Sequence, residues 1–202
     1  MIAAVVLAAG VSSRMGKPKQ ILPLNGVPML QRVLEILRKS NVGSVVVVLG
    51  ANAAEVRKRV KFAGESVVVN PRFTEGISSS LRLGLQHVGR GAGAVIIVLG
   101  DQPFVLPATI DTLVETYERS GARIVIPTHQ GVRGNPVLFD RSVVPQIAKI
   151  RGDRGAKSVV QNNAADVLEV EVPDKGVLTD IDTPSDLDRG MEVRRRRIRA
   201  RA

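Results

Sequence analysis

Short, nearly continuous runs of Val, Ile, Leu and Ala recur along the chain, separated by segments with apolar residues at helical spacing. Ile2–Ala9, Ser44–Leu49, Glu65–Val69, Ala94–Leu99 and Arg123–Ile126 read as strands. They do not alternate apolar with polar, which is the pattern of parallel strands covered on both faces. Between them, Pro28–Ser40 places Met29, Leu30, Val33, Leu34 and Leu37 on one helical face. Ala53–Phe62, Ile77–Val88 and Pro107–Arg119 also read as helices, the last with proline in its first turn. Strand–helix alternation implies βαβ units, hence the α/β class: a three-layer αβα arrangement around a Rossmann-like, mostly parallel sheet. The second half is less regular. There Pro136–Phe139 and Val167–Val172 read as strands, and Asp153–Gln161 and Pro184–Val193 as helices.

In such sheets ligands collect at the carboxyl ends of the strands. VVVVLGAN (45–52) and VIIVLGDQ (95–102) are two strands ending in Leu-Gly, and only the second is followed by an acid, Asp101. Gly10, Gly50, Asn70 and Asp101 all fall at strand ends and mark one working edge.

Composition narrows the function classes. A length of 202 residues suits one domain, expected over 1–190 with a basic tail at 191–202. Without cysteine there is no disulfide, thiolate nucleophile or thiolate metal site, which fits a cytoplasmic protein. Apolar runs reach eight residues, against roughly 18 for a membrane span, and no signal peptide precedes the first strand. The net charge of +10 invites nucleic acid as a partner, but seven Arg and one Glu crowd into residues 189–202. Aromatics make up only 2%, which argues against a base-stacking platform. The RRRRIRAR segment reads as the frayed end of a C-terminal helix, with contact to RNA or an acidic partner as the alternative.

The loop after the first strand, Ala8-Ala9-Gly10 through Lys19, is not a P-loop. Five residues rather than four separate Gly10 from Gly16, and Pro18 stands where Ser or Thr must follow the lysine. The Rossmann glycine fingerprint is absent too. Ala8, Ala9 and Gly10 nonetheless leave room for a flat ring against the backbone. Ser12 and Ser13 add donors, and Arg14 and Lys19 can face one phosphate chain across a turn. A surface turn with solvated cations is the plain alternative.

LAAGVSSRMGKPKQILPLNGVPML resembles the signature of the molybdenum-cofactor nucleotidyltransferases, within the wider group that transfers NMP from NTP to a phosphate. The likeness continues in NPRFTEGISSSLRLGL (70–85), GDQPFV (100–105), RGNPVLF (133–139), GDRGAK (152–157) and DIDTPSDL (180–187), in that family's order. Ala8-Ala9-Gly10 is similar to the cytidylyl branch, where the guanylyl branch has Ala-Gly-Gly or Gly-Gly. The resemblance implies a fold of the nucleotide-diphospho-sugar transferase type. It also implies transfer of CMP from CTP to the phosphate of molybdopterin, with Mg²⁺ as cofactor and pyrophosphate as product. A molybdoenzyme apoprotein is then a further partner.

Such chemistry asks for cations, acids to hold Mg²⁺ and no nucleophilic side chain. The resemblance makes Asp101 the first metal ligand, with Asp182 and then Asp180 as the second. It places Arg14 and Lys19 on the triphosphate as catalytic cations, with Lys17 less central. Leu7, Ala8, Ala9 and Gly10 would read the base, with Ser13 beside them, and Asn70, Ser78, Ser79 and Ser80 would complete the base and ribose pocket. Arg133, Gly134 and Asn135 would meet the acceptor, as would Arg154 and Lys157. Plainer readings stay open. Asp101 can cap the helix at Pro107, Asp182 or Thr183 the helix at Pro184, Asp153 the helix after it, and the serines the helix they open. RGNPVLF can be a simple strand turn, and His87 and His129 read as structural or solvated. Transfer of GMP, transfer to another small phosphate such as phospholactate or a sugar phosphate, and a non-catalytic cofactor carrier are the competing functions.

Overall fold

A computed structural model describes residues 1–12, 15–183 and 185–186. The chain opens with β1 (Ile2–Ala8), a 3₁₀ turn at Lys19–Ile21, and two-residue strands β2 (Pro23–Leu24) and β3 (Val27–Pro28). Then come α1 (Met29–Arg38), β4 (Ser44–Leu49), α2 (Ala53–Arg59), β5 (Ser66–Val69), α3 (Ile77–Gln86), β6 (Ala94–Leu99) and α4 (Pro107–Ser120). After these follow β7 (Ile124–His129), β8 (Val132–Arg133), β9 (Val137–Asp140), α5 (Val144–Ile147), α6 (Lys157–Asn162) and β10 (Val167–Glu171). Of the expected helix at Pro184–Val193 only Ser185 and Asp186 are described, both helical; its other residues and the basic tail lie outside the described residues.

Among the described residues the main sheet runs β5-β4-β1-β6-β9-β7-β10, with β8 paired to the end of β7. β1 lies at its centre, Val5 standing opposite Val46 of β4 and Ile97 of β6 in parallel register. Successive β1 residues serve opposite layers. Ala4, Val6 and Ala8 join Leu30, Leu34 and Leu37 of α1 and Ile110 and Leu113 of α4. Val5 faces the other way, with Leu81 and Leu85 of α3, Ile147 of α5 and Val160 of α6. This two-sided burial is why the runs are continuous in the sequence, and the three-layer αβα expectation holds.

Within this mostly parallel sheet β8 and β9 run the other way. β9 runs antiparallel to both neighbours, β6 and β7. The cause is a short connection. β7 turns into β8 through Gln130 and Gly131, both left-handed with φ of 53° and 75°, the geometry of a two-residue hairpin turn. A parallel return needs a crossover of a dozen or more residues. The helix expected at Asp153–Gln161 begins only at Lys157, which frees residues 152–156 as a loop.

α3 crosses the sheet closely because Gly84 has no side chain. A Cβ there would lie 2.4 Å from Val5 Cγ1 and 2.9 Å from Val48 Cγ2. Gly84→Leu is expected to overpack this contact by about 1–3 kcal/mol and lower Tm by roughly 3–10 °C in a thermal melt.

Tyr117, the only tyrosine, fastens α4 to β9 by donating to Asp140 Oδ2 at 2.6 Å. Burial, then the hydrogen bond and charge of Asp140, push the phenol up to about 12 from its ordinary 10.0. The folded state thus keeps its proton where the unfolded state loses it. That contribution is complete below pH 10 and lost as pH rises through about 12. The absorbance titration of the single phenolate should show a midpoint near 12 in the folded protein and near 10.0 in denaturant. A midpoint near 10 in both would remove the Tyr117–Asp140 tie.

Candidate active site

At the carboxyl end of β1 the backbone leaves the sheet at Ala9-Gly10, and the 3₁₀ turn at Lys19–Ile21 brings it back. The turn is fastened to the loop from below. Gln20 Nε2 donates to Ala8 O at 2.9 Å and Gly10 O at 3.1 Å. The Lys19 backbone N–H donates to Ser12 Oγ at 3.0 Å. Lys19 is thereby aimed along the sheet edge. Its Nζ donates to Asp101 Oδ2 at 2.5 Å and Asp182 Oδ1 at 3.0 Å.

Asp101 is supplied directly by the end of β6. Asp182 arrives from the other end of the chain because Ile181 docks beside it. The Ile181 N–H donates to Asp101 O at 3.0 Å, and its fully buried side chain joins Leu24, Met29 and Phe104 in a small apolar cluster. Thr183 and Asp186 bond to each other, so Asp182 is not used as their cap. Nor does Asp101 cap the helix at Pro107. Asp174 Oδ2 does so, accepting from Leu106 N and Thr109 Oγ1, each at 2.7 Å.

Burial alone would push the Lys19 ammonium down, but the charge and hydrogen bond of Asp101, reinforced by Asp182, hold it above the ordinary lysine value. Asp180 differs from its neighbour. It accepts from Gln102 Nε2 at 2.6 Å. Burial raises its carboxyl, Gln102 opposes this, and the charges of Asp101 and Asp182 add to the rise. The donor set suits a divalent cation in one specific way. Asp101 Oδ1 is buried with no hydrogen-bond partner among the described residues, and a buried carboxylate oxygen of that kind calls for a cation or a donor. Asp101 and Asp182, already sharing one positive charge through Lys19, are the pair that fits, with Asp180 behind them.

A cavity of about 330 Å³ opens beside this cluster, within the range of small-molecule sites. Leu7, Ala8, Ala9 and Gly10 from the end of β1 line it, together with Lys19, Asp101, Gly76, Ile77, Ser80 and Asp153. Gly76 is required there twice over. Its φ is +94°, and a Cβ would lie 2.6 Å from the Gly152–Asp153 backbone. Asp153 accordingly meets the start of α3, accepting from Ile77 N at 3.4 Å, instead of capping the helix that follows it.

Asn70, Ser78, Ser79 and Ser80 are all buried, and of these four expected residues Ser80 is the one on the cavity walls. Asn70 Nδ2 donates to Ser79 Oγ at 2.8 Å and Ser80 Oγ at 2.9 Å, so this polar group reaches the cavity through Ser80. The serines do not cap their own helix. Arg133 is half exposed and pairs with Glu169 Oε1 on β10 at 2.6 Å. Neither it nor Gly134 or Asn135 lines the cavity; Gly134 packs on Val177, and Asn135 N donates to Val177 O. Ser13 and Arg14 lie outside the described residues. His87 and His129 each bond a backbone carbonyl, of Leu83 and Val172. Gln20 and Gln102 lie inside the family-like blocks but carry no expected role there, Asp174 lies outside them, and the roles of all three appear only with the fold.

A model of the MobA-like NTP transferase domain matches residues 4–167. Nicotine blue oxidoreductase of Paenarthrobacter nicotinovorans is 29% identical over 90% of this chain and 92% of its own length. Molybdenum cofactor cytidylyltransferase of Escherichia coli is 24% identical over 90% and 91%. Among solved structures, Rv0371c of Mycobacterium tuberculosis superposes with a TM-score of 0.85 at 34% identity, covering 95% of this chain and 97% of that one. Rv0371c has also been solved in complex with manganese. With the sheet, the small-residue loop and the acids at its edge, these likenesses establish that the chain belongs to the MobA-like NTP transferase family and is a nucleotidyltransferase.

Proposed function

We propose that this chain transfers CMP from CTP to the phosphate of molybdopterin or its molybdenum-loaded form and releases pyrophosphate. The observation that carries the reading is the Lys19 ammonium between Asp101 and Asp182, at the end of a cavity walled by Ala8-Ala9-Gly10. In the reaction a phosphate-monoester oxygen of the acceptor bonds to the α-phosphorus, and the bond from that phosphorus to the β-bridging oxygen breaks. Pyrophosphate leaves with the electron pair. No side chain need act as nucleophile; the protein must align two anions and offset their charge.

The residues divide that work. The nearly bare backbone of Ala8 to Gly10 receives the base. Lys19, held protonated by its carboxylate partners, supplies a fixed positive charge for the phosphates. Asp101 and Asp182 would hold one divalent cation, magnesium or manganese, which when bound supplies further charge neutralisation at the triphosphate. Asp180 steadies this end through Gln102. The Asp153 loop, with Arg154 and Lys157, borders the side from which an anionic acceptor enters. The cytidylyl assignment draws on the Ala-Ala-Gly loop and on the named relative from Escherichia coli. We place the protein in the cytoplasm; among the described residues no helix is long and apolar enough to cross a membrane.

Pyrophosphate release should require a divalent cation and molybdenum cofactor together, and be fastest with CTP among the four nucleotides. Release with GTP alone would reassign the base, and nucleotide binding without release would indicate another acceptor or a carrier. Asp101→Asn should lower kcat/KM by about 10²–10³-fold while Tm stays within roughly 3 °C, because the residue sits at a sheet edge. Near-normal turnover in that variant would remove Asp101 from the metal and phosphate site.

A further inference from the structure

Gln20 is 2% exposed, yet it stands on a loop and borders the cavity. Its Nε2 spends both protons on carbonyls of the nucleotide loop, Ala8 O and Gly10 O, which flank Ala9. Its Oε1 is buried with no hydrogen-bond partner among the described residues. A methionine would fill the same volume but leave both carbonyls without this donor, so what the amide adds here is a tie between the two residues on either side of Ala9. The neighbouring Lys19 holds Ser12 through its own backbone N–H. One 3₁₀ turn therefore grips the loop at Ala8, Gly10 and Ser12 and aims an ammonium at Asp101 and Asp182.

We infer that Gln20 is a positioning residue for nucleotide binding. It holds the Ala8–Gly10 backbone in the shape that receives a nucleoside triphosphate and sets the register of that wall against Lys19. The inference rests on the nucleotidyl-transfer reading. Gln20 acts on the ground-state complex, because the wall it shapes is in place before any bond changes. Its loss should therefore appear in binding and KM, with kcat at saturation little altered.

Two variants test this. Gln20→Met keeps the volume and removes the amide. Gln20→Glu keeps the shape but sets a carboxylate against the two carbonyls. Binding of CTP in the presence of Mn²⁺, measured by calorimetry, should weaken about ten-fold or more in both variants, as expected for two lost hydrogen bonds. KM should rise in step, while kcat stays within about three-fold. The Tm of Gln20→Met should fall by less than about 10 °C, since the swap conserves volume while two carbonyls lose a donor. Unchanged affinity in both variants, or a lowered kcat with KM unaltered, would overturn the assignment. So would a fall in Tm above about 10 °C in Gln20→Met with affinity retained in the folded fraction, which would make Gln20 a purely structural residue. If the parent protein binds none of the four nucleotides, the nucleotidyl-transfer reading itself fails and takes this inference with it. If the parent binds and the variants bind equally, only the role of Gln20 fails.

Discussion

Two carboxylates within reach of one another at the end of a buried strand repel unless a positive charge lies between them. Here that charge is the Lys19 ammonium, bonded to both Asp101 and Asp182 and largely withdrawn from water. The three residues come from three distant parts of the chain, so this contact joins the first loop, the middle of the sheet and the C-terminal segment. Removing Lys19 would leave two partly buried carboxylates without their shared partner, the costly case for ion pairs, whereas losing either aspartate leaves the ammonium its other carboxylate. The surrounding structure looks organised to keep that from happening. Ile181 is anchored by its backbone and its side chain, Gln20 and Ser12 fix the turn that carries the lysine, and Gln102 holds Asp180 close by.

The same arrangement explains why a small cavity suffices for a highly charged substrate. Its walls carry little side chain on the β1 side, so specificity there has to come from backbone groups and shape. At one end the charges are concentrated. Separating a nearly neutral wall from a charged end suits a ligand that is a flat ring at one end and a polyanion at the other.

Much of this was legible in the sequence. The Val/Ile runs announced buried strands, and the strand-end positions of Gly10 and Asp101 marked the working edge. The reversed strand β9 was not legible, because Val137–Asp140 is short and apolar in either direction. Its orientation follows from the tight Gln130-Gly131 turn, and this dipeptide is not a strong turn signal. Asp182 could be singled out only through family likeness, since the local pattern reads equally well as a helix cap; the fold gives the capping to Thr183 and Asp186. Arg133 shows the opposite case. A cation beside Gly-Asn suggested an anion site, but Glu169, 36 residues away in sequence, takes the charge. Gln20 had no local signal at all, because its meaning lies in two carbonyls that only the folded loop brings to it.

The second acid enters after β10, beyond the residues 4–167 that the family model matches, and closes the site from behind. This has a consequence for synthesis. A ribosome emits the nucleotide loop, Lys19 and Asp101 early, and Asp182 emerges 81 residues after Asp101. At about 5–20 residues per second that interval is roughly 4–16 s, during which the sheet can begin to assemble around an incomplete centre. The nascent chain therefore holds Lys19 and Asp101 before their third partner exists. The ammonium spends that interval with one carboxylate, and the C-terminal segment that carries Ile181 and Asp182 docks last onto an edge already formed.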